Sequence, residues 1–345
     1  MYTPKYSITN KILKNIGIIE ACREVVDHAP LLPYYEKEFQ KDALVRSVHH
    51  GTHIEGNELD LTQAEKAMFG EMVVARPRDI QEVINYRKVI EQIGNPQSQI
   101  DEEFVKNLHR MAVEKILSAE RCGVYRKTQV LVKNSLTGDV TFTPPMAIIV
   151  PYQVKELIEF INTSSADNIH PVLKSGAVHY ELVRIHPFVD GNGRVGRALS
   201  TYILFQSGYD IRKFFSLEEY FDHDAVSYYD SLQSVERLSG DLTVWLEYFT
   251  EGLAIELTKI KEKVETISVD GKLRERLGGK PIMLSDRQLR IIEYVQKTGY
   301  LQNNGFKTLF PFVSEDTVLN ELKYLIKHGI IKKQGSTKGA KYIMA

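Results

Sequence analysis

One stretch of this chain, Arg184–Arg197, constrains its fold and its chemistry more than any other. It lies directly before an apolar run, Ala198–Phe205, that looks helical, so that Gly191–Arg194 would form the first turn of a helix. A helix N-terminus presents unpaired N–H groups and the positive end of the macrodipole, which suits a phosphate. Glycines let the backbone approach an anion closely, and arginines add bidentate contacts to its oxygens. The stretch therefore predicts a phosphate site.

An acidic residue and a histidine lie in the same stretch. Asp190 beside phosphates is explained if it holds a divalent cation, since Mg²⁺ prefers one or two carboxylates plus phosphate oxygens. His186 has a pKa naturally near the range that a general base needs. The residues thus predict a nucleotide–Mg²⁺ site with a histidine base. The alternative is structural: Asp190 and Asn192 would cap the helix, Arg194 and Arg197 would be solvated, and His186 would be a buried turn histidine.

The sequence from His186 to Arg197, HPFVDGNGRVGR, resembles the signature of the Fic family, HPFx(D/E)GNGRxxR, with every fixed position filled. Members of that family move AMP from ATP to a hydroxyl on a target protein. The resemblance implies that His186 deprotonates a Ser, Thr or Tyr hydroxyl of the target, which then attacks the α-phosphate. It implies that Asp190 holds Mg²⁺ against the α- and β-phosphates. The related Doc branch, which acts as a kinase, lacks the full Gly-Asn-Gly-Arg anion hole that this chain has.

The resemblance also assigns the remaining signature positions to the nucleotide. The anion hole would consist of Gly191, Asn192 and Gly193, while Arg194 would reach the β-phosphate and Arg197 the γ-phosphate. Catalysis would then rest on positioning and charge stabilisation around an in-line displacement, with pyrophosphate leaving.

A second motif, Ile54–Leu59 (IEGNEL), lies far upstream. Alone, Glu-Gly-Asn is most often a helix that ends at glycine. Beside the first motif it is similar to the family's autoinhibitory helix, whose glutamate pairs with the second arginine of the signature and occupies the γ-phosphate space. The pair here would be Glu55 with Arg197. Gly51 stands where the family has Ser or Thr, and because glycine favours fraying, we expect the helix to be held less firmly.

A predicted β-hairpin follows the first third of the chain. Gly123–Arg126 comes first, Gln129–Val132 is β-branched enough for a strand, Ser135–Asp139 supplies turn residues, and Phe142–Pro145 follows. Together these segments resemble the family's flap. Its residues Val130, Leu131 and Val132 would align a target segment by main-chain hydrogen bonds. The alternative is an ordinary surface hairpin.

The segment Ser227–Leu232 (SYYDSL) resembles a downstream helix of the family in which the first tyrosine lines the nucleotide pocket. That residue would be Tyr228. The family often has Asn eight residues later, where this chain has Glu236. Paired tyrosines on an amphipathic helix are otherwise more often core residues than ligand contacts.

Composition points to a cytoplasmic enzyme. The 345 residues carry a net charge of −1, which predicts no general attraction to nucleic acid or membrane. Two cysteines, Cys22 and Cys122, form no disulfide framework. The first twenty residues do not read as a signal peptide, and no 18-residue apolar run exists. We therefore expect a cytoplasmic protein with no membrane segment.

The predicted fold is mainly α: a Fic helical core with a β-hairpin flap, plus a small C-terminal winged helix-turn-helix (α+β) domain. The predicted boundaries are an N-terminal helical region with the inhibitory helix at 1–98, the Fic core with a helical extension at 99–267, a linker at 268–280 and the winged domain at 281–345. The extension, Leu232–Ile267, is expected to carry the chain away from the core.

The C-terminal segment has its own sequence signals. Ser285 with Gln288 predicts a capping box, Ser314 predicts a second helix cap, and two short strands are expected at 330–333 and 341–344. This order resembles the winged modules often appended to Fic proteins.

The charge of that segment leaves its partner open. Residues 280–345 hold eleven Lys and Arg against five Asp and Glu, a net +6, whereas the remainder carries −7. A basic domain suggests nucleic acid, and any DNA affinity would come from Lys332, Lys333, Lys338 and Lys341. Glu315 and Asp316 stand where base-reading residues normally sit and would repel phosphates. The alternatives are protein contact or dimerisation, as in a homodimer.

Two classes of function follow. The first is a protein adenylyltransferase held in check by Glu55, with Mg²⁺ as cofactor, ATP as substrate and a protein with an exposed hydroxyl side chain as target. The second is a DNA-binding regulator with a sensory Fic core. The intact signature favours the enzyme. Neighbouring enzymatic alternatives are transfer of another nucleotide, or removal of AMP with Glu55 positioning water.

Overall fold

The computed structural model describes residues 2–29, 31, 33–94, 99–133, 140–163, 168–267, 284–311, 313–335 and 340–345. Three predictions fall outside these residues: the hairpin turn Ser135–Asp139, the linker 268–280 and the position of Lys338. None of the helices within the described ranges is both long and apolar enough to cross a membrane.

The described residues are mainly α-helical. In chain order the helices are α1 Asn10–His28, α2 Pro33–His53, α3 Leu61–Met68, α4 Pro77–Ile93, α5 Glu102–Val113, α6 Val150–Asn162, α7 Pro171–Ile185, α8 Asn192–Gln206, α9 Leu217–His223, α10 Ala225–Arg237, α11 Thr243–Ile267, α12 Asp286–Thr298, α13 Phe306–Leu309 and α14 Glu315–Lys327. The strands are β1 Val132–Lys133, β2 Val140–Phe142, β3 Ile331–Gln334 and β4 Lys341–Met344.

Several helices begin at a residue whose side chain caps the first turn. Asp101 accepts a hydrogen bond from the backbone N–H of Phe104 at 2.7 Å. Ser285 and Gln288 form the predicted capping box at the start of α12, and Ser314 caps α14 as predicted. Each cap satisfies N–H groups that have no partner within the helix.

The chain divides into two compact units, one of Met1–Asp27 with Phe39–Ile260 and one of His28–Glu38 with Lys261–Ala345. At the centre of the first unit, α7 and α8 pack against each other and are buried around most of their surface. Gly196 allows the close approach, because a Cβ there would lie 3.1 Å from Cγ2 of Val183. Helices α2, α4, α5 and α6 surround this pair with apolar side chains that include Val48, Tyr86, Leu108 and Leu157. The loop between α7 and α8 is therefore held by a packed scaffold.

The predicted hairpin is present but its first strand is shorter than expected. β1 and β2 pair antiparallel, with Val132 opposite Phe142 and Lys133 opposite Val140. Val130 and Leu131 lie before the strand, so the prediction of a strand from Gln129 was wrong at that end. Gln129 contacts the other arm of the hairpin through its side chain, whose Nε2 donates to the Pro144 carbonyl at 2.7 Å.

The predicted helical extension Leu232–Ile267 is two helices in the structure. α10 ends at Arg237 and α11 begins at Thr243. Between these two helices, Ser239 and Gly240 take left-handed conformations (φ 55° and 87°), which interrupt the helical backbone. The expectation that this extension leaves the core was also wrong, because α11 buries apolar side chains that include Trp245, Phe249, Leu253 and Leu257.

The second unit contains α12, α13 and α14, followed by the antiparallel pair β3–β4. Leu301 adds a bridge to Tyr342 beside this pair. Its own core holds buried apolar residues that include Ile291, Ile292, Phe306, Val318, Leu322 and Leu325, and Tyr35 packs against them. The mainly helical fold with a small two-stranded sheet near the C-terminus agrees with the predicted fold class.

Candidate functional site

The loop between α7 and α8 carries the signature residues. α7 ends at His186 in a left-handed conformation (φ 50°), and Gly191 (φ 78°) precedes α8. Asn192 fixes the loop, since its amide accepts from the N–H of Phe188 at 2.8 Å and donates to the carbonyl of Phe188 at 3.0 Å. The Asn192 side chain is thereby bonded to the backbone of Phe188 through both its oxygen and its nitrogen. The Gly191–Arg194 turn is the N-terminus of α8, as predicted.

His186 is set up to accept a proton. Its Nδ1 lies 3.3 Å from the carbonyl of Val183, which can only accept, so Nδ1 carries the hydrogen and Nε2 the lone pair. Burial lowers the pKa of His186 below its ordinary 6.5, and the nearby Glu55 carboxylate offsets part of that effect. The imidazole is therefore neutral near neutral pH.

The carboxylate of Asp190 is surrounded by cations. Its Oδ1 accepts from Nη2 of Arg194 at 3.1 Å and from the N–H of Gly191, and its Oδ2 accepts from Nη2 of Arg78 at 2.9 Å. Burial acts to raise the pKa of Asp190, but the charges of Arg194 and Arg78 outweigh it and hold that pKa below its usual range. Asp190 is thus ionised, which a cation ligand must be.

Arg194 is buried beneath this loop. Besides Asp190 it contacts the carbonyl of Ala112 at 3.4 Å and the carboxylate of Glu82 at 3.6 Å. Its Nε is buried without a hydrogen-bond partner among the described residues, and so is Nε of Arg197. Two buried guanidinium groups therefore retain unused donors near the α8 N-terminus.

The predicted pair of Glu55 and Arg197 is formed. Nη2 of Arg197 donates to Oε1 of Glu55 at 2.7 Å and to the carbonyl of Gly51 at 2.8 Å. Burial alone would lower the pKa of Arg197, but the Glu55 carboxylate and the neighbouring tyrosines together outweigh burial and raise that pKa. A Cβ on Gly193 would lie 2.1 Å from the same Glu55 oxygen. The Glu55 carboxylate therefore fills the cradle that this glycine opens at the start of α8.

Gly51 has a packing role that the sequence did not indicate. α2 continues past it to His53, and a Cβ at this position would lie 2.2 Å from Cε1 of Tyr86. Tyr86 is fully buried and its hydroxyl donates to Glu218 at 3.1 Å, so the ring has no room to withdraw. The glycine therefore lets α2 and α4 pack closely, while the expectation that it loosens the helix stays a prediction.

The segment after α2 is held by the start of α4. Asn57 is buried and donates from Nδ2 to the carbonyl of Asp79 at 3.0 Å and to Glu82 at 3.1 Å. Arg76 donates to the carbonyl of Gly56 at 3.1 Å. These bonds fix the chain directly after Glu55.

Two histidines on the last turns of α2 add a further anchor. His50 and His53 both approach Asp222 of α9, each with Nδ1 at 2.8 Å from a carboxylate oxygen. The C-terminal end of α2 is therefore anchored by α4 and by α9 as well as by Arg197.

A cavity of about 140 Å³, partly open to solvent, brings several predicted residues together. Its lining includes Glu55, Val132, His186, Gly193, Arg197 and Tyr228, together with Phe142, Tyr180, Leu232 and Glu236. Other predicted residues do not line it: Val130, Leu131, Asp190, Gly191, Asn192 and Arg194. Tyr228 is buried with its hydroxyl 2.9 Å from Nε2 of His179, and burial raises the pKa of Tyr228 to about 12.

Two residues that position the loop between α7 and α8, His109 and Arg126, were not predicted from the sequence. His109 stacks on Phe188 with ring centroids 3.8 Å apart, accepts at Nδ1 from the N–H of Gly123 at 2.8 Å and donates from Nε2 to the carbonyl of Asp190 at 3.0 Å. Burial lowers the pKa of His109 to about 4, so the ring is neutral near neutral pH and Nδ1 remains an acceptor.

The second missed residue is Arg126, whose Nε donates to the carbonyl of His186 at 2.8 Å and whose guanidinium also bonds Pro145 beside the hairpin. It joins the hairpin to the loop between α7 and α8. The Gly123–Arg126 segment was matched to the family's flap, which is the one sequence signal near it.

The residues present fit a single metal ion held mainly by phosphates. Within the described ranges no group of three or more His, Cys, Asp and Glu is arranged to hold a metal. Asp190 offers an ionised carboxylate in the loop before α8, a donor set that matches Mg²⁺ bound through one carboxylate, phosphate oxygens and water.

This chain is similar to known proteins over part of its length. Residues 99–204 match the Fic/DOC family. Protein adenylyltransferase fic-1 of Caenorhabditis elegans is 28% identical over 215 residues, which is 60% of this chain and 40% of that protein. Protein adenylyltransferase Fic of Drosophila grimshawi is 29% identical over 175 residues, 49% of this chain and 35% of that protein. The matched region is thus less than half the length of either relative.

Solved structures share the fold. A Fic family protein from Desulfovibrio desulfuricans superposes with a TM-score of 0.68 at 22% identity, over 100% of this chain and 98% of that one. Fic-1 of C. elegans superposes with a TM-score of 0.60 at 24% identity, over 74% and 73% of the two chains. The chain therefore has the mainly helical Fic fold, carries a Fic/DOC family domain at residues 99–204, and is distantly related to protein adenylyltransferases.

Proposed function

We propose that this protein transfers AMP from Mg·ATP to a Ser, Thr or Tyr hydroxyl of a target protein, and that Glu55 restrains the transfer. One observation carries the proposal: His186, Gly193, Arg197 and Glu55 line the same cavity. A base, a glycine cradle and a carboxylate that competes with phosphate thus lie together. The likeness to proteins named as adenylyltransferases supports this reaction class.

His186 is the general base of the proposed transfer. Its Nε2 takes the proton of the target hydroxyl while that oxygen bonds to the α-phosphorus. The bond from this phosphorus to the oxygen bridging the α- and β-phosphates breaks, and pyrophosphate leaves with the electron pair. The imidazolium then releases its proton to solvent. A positioned base typically contributes about 10²–10⁴-fold to such a step.

The start of α8 stabilises the charge on the phosphates. The backbone N–H groups of Gly191–Arg194 point away from the helix and are free of intrahelical bonds. Arg194 and Arg197 supply fixed positive charge from buried positions, which acts more strongly than charge in water. Asp190 would hold Mg²⁺, which when bound neutralises phosphate charge.

Glu55 acts as the restraint. Its carboxylate occupies the Gly193 cradle and pairs with Arg197, so a γ-phosphate must displace it to reach that guanidinium. ATP is then limited to an unproductive pose while α2 stays in place. The anchors of α2 on α4 and α9 support a latch stronger than an isolated surface ion pair, which contributes only about 0.2–1 kcal/mol.

The rest of the cavity serves the nucleoside and the target. Tyr228, Tyr180 and Leu232 offer apolar surface for a base and ribose. The flap residues Val130, Leu131 and Val132 would align the target segment, and Val132 with its partner Phe142 lies at the cavity. The partner is therefore a protein segment that adds to a short exposed strand and carries a hydroxyl side chain.

The test is the identity of the transferred group. The Glu55→Gly protein is incubated with Mg²⁺ and ATP labelled at either the α- or the γ-phosphate. We expect label on the protein only from the α-phosphate, with the intact mass rising by one AMP. Label from the γ-phosphate would indicate a kinase, and no label from either, on the protein or on added cell-lysate proteins, would contradict adenylyl transfer.

A further inference from the structure

The Asp190 carboxylate is paired with two guanidinium groups, those of Arg194 and Arg78, which differ in how easily they can move away from it. Arg194 follows Asp190 by one helical turn, and its side chain is only 2% exposed. Arg78 comes from α4, and its side chain is 60% exposed. A metal ion that binds Oδ2 of Asp190 competes with Arg78, because that oxygen accepts from its Nη2 at 2.9 Å.

Arg78 has a second anchor that survives such a replacement. Its Nε donates to Oε1 of Glu82 at 3.1 Å, and the Glu82 side chain is almost fully buried. The guanidinium can therefore turn Nη2 away from Asp190 into solvent while Nε stays bonded. This exchange leaves no buried group unpaired, so it is a low-cost motion.

The charges around Asp190 balance without a metal. Arg78 and Arg194 offset Asp190 and Glu82 within one connected set of ion pairs. A divalent cation added to this set leaves a net charge of +2, which is unfavourable at close range. A triphosphate brings several negative charges and reverses that balance.

We propose that Arg78 is a positioning residue whose guanidinium serves as the cation beside Asp190. A divalent metal ion therefore binds poorly until nucleotide phosphates are present. The inference rests on the proposed function, in which Asp190 is the metal ligand. Arg78 keeps the carboxylate oriented, and it makes metal binding depend on the nucleotide. The site would thus select the metal–nucleotide complex over the free metal ion.

The test measures Mn²⁺ binding to the full chain by the electron paramagnetic resonance signal of free Mn²⁺, first without nucleotide. Arg78→Gln should bind Mn²⁺ roughly tenfold tighter than wild type, because one positive charge close to a divalent ion is removed. Arg78→Lys keeps the charge and should stay near wild type. With a non-hydrolysable ATP analogue present, wild type and Arg78→Gln should differ much less.

The matched control is Arg87→Gln, since Arg87 also lies on α4 and also donates its Nε to the Glu four residues on, Glu91, at 2.8 Å. It should leave Mn²⁺ affinity unchanged. Equal Mn²⁺ affinity of Arg78→Gln and wild type overturns the inference, and so does a gain that persists when Asp190→Asn is added to Arg78→Gln. Failure of adenylyl transfer would be seen in the ATP-labelling experiment instead, so the two proposals fail separately.

Discussion

His186 combines three local properties that a proton acceptor needs. The left-handed conformation at the end of α7 turns the ring into the cavity lined by Gly193 and Arg197. Its Nδ1–H is held by the carbonyl of Val183, which leaves Nε2 unprotonated. Arg126 bonds the His186 carbonyl and so fixes the backbone beneath it.

The pH dependence of transfer should report this environment. Burial lowers the pKa of His186 below 6.5, so protonation, which destroys the base, requires a lower pH than for a free imidazole. In the Glu55→Gly protein the labelling rate should therefore be flat near neutral pH and decline only below pH 6.5. Rates measured from about pH 5 to 8 decide the point. An acidic limb centred above pH 6.5 would show that a different group controls the reaction.

The signature residues could be found from the sequence because they are contiguous and each has a distinctive chemistry. His109 and Arg126 could not, since they act by hydrogen bonds to backbone carbonyls from other elements, which no local pattern marks. Arg78 escaped notice for the same reason: its partner Asp190 lies on a distant segment. The role of Asn192 at the anion stays a prediction, and the structure adds that its amide fixes the loop through Phe188.

At the scale of elements, the packing of α2 against α4 sets how firmly Glu55 is held. Gly51→Ala would place a Cβ against the buried ring of Tyr86, so the end of α2 must shift and the Arg197–Gly51 bond must weaken. We expect faster basal self-labelling and a loss of about 1–3 kcal/mol of stability. Self-labelling and thermal unfolding measure the two effects.

The control for that substitution is Gly17→Ala, because a Cβ at Gly17 in α1 meets nothing within 4 Å. It should be neutral or slightly stabilising and should leave the labelling rate unchanged. If Gly51→Ala labelled at the wild-type rate although it is destabilised, the contact with Tyr86 would have no part in the latch.

Helix starts were predicted better than helix breaks. The caps at Ser285 and Ser314 are marked by local sequence, and both are present. The break between α10 and α11 depends on Ser239 adopting a left-handed conformation before Gly240, which the apolar pattern through that region does not reveal. The close contact at Gly51 required knowledge of Tyr86, which belongs to another helix.

At the scale of the whole molecule, the basic C-terminal segment is the part whose partner is least defined by sequence. Lys332, Lys333 and Lys341 are exposed on or beside the two-stranded sheet, whereas Glu315 and Asp316 are exposed at the start of α14. The grouping of His28–Glu38 with this unit was not predicted, because it arises from contacts such as that of Tyr35 with the C-terminal core.

If this unit binds DNA, the full-length protein should retard duplex DNA at low salt, and the affinity should fall steeply as salt rises and counterions are released. Replacing Lys332 and Lys333 by Gln should weaken DNA binding. The slope of log affinity against log salt concentration should then fall by the equivalent of about two phosphate contacts. Lys297→Gln, on α12, is the control and should have little effect. Absence of retardation even at low salt would favour protein contact or dimerisation.

The central claim is that the Glu55–Arg197 pair restrains adenylyl transfer by His186. Its most direct test compares initial self-labelling rates, with ATP labelled at the α-phosphate, for wild type, Glu55→Gly and Glu55→Gly with His186→Ala. Glu71→Gly is the control, since Glu71 is an exposed glutamate outside the helices. We predict a rise of about tenfold or more for Glu55→Gly, equivalent to about 1.4 kcal/mol, no change for Glu71→Gly, and loss of labelling when His186→Ala is added. A Glu55→Gly protein that labels no faster than wild type, or that keeps its rate without His186, would contradict the account.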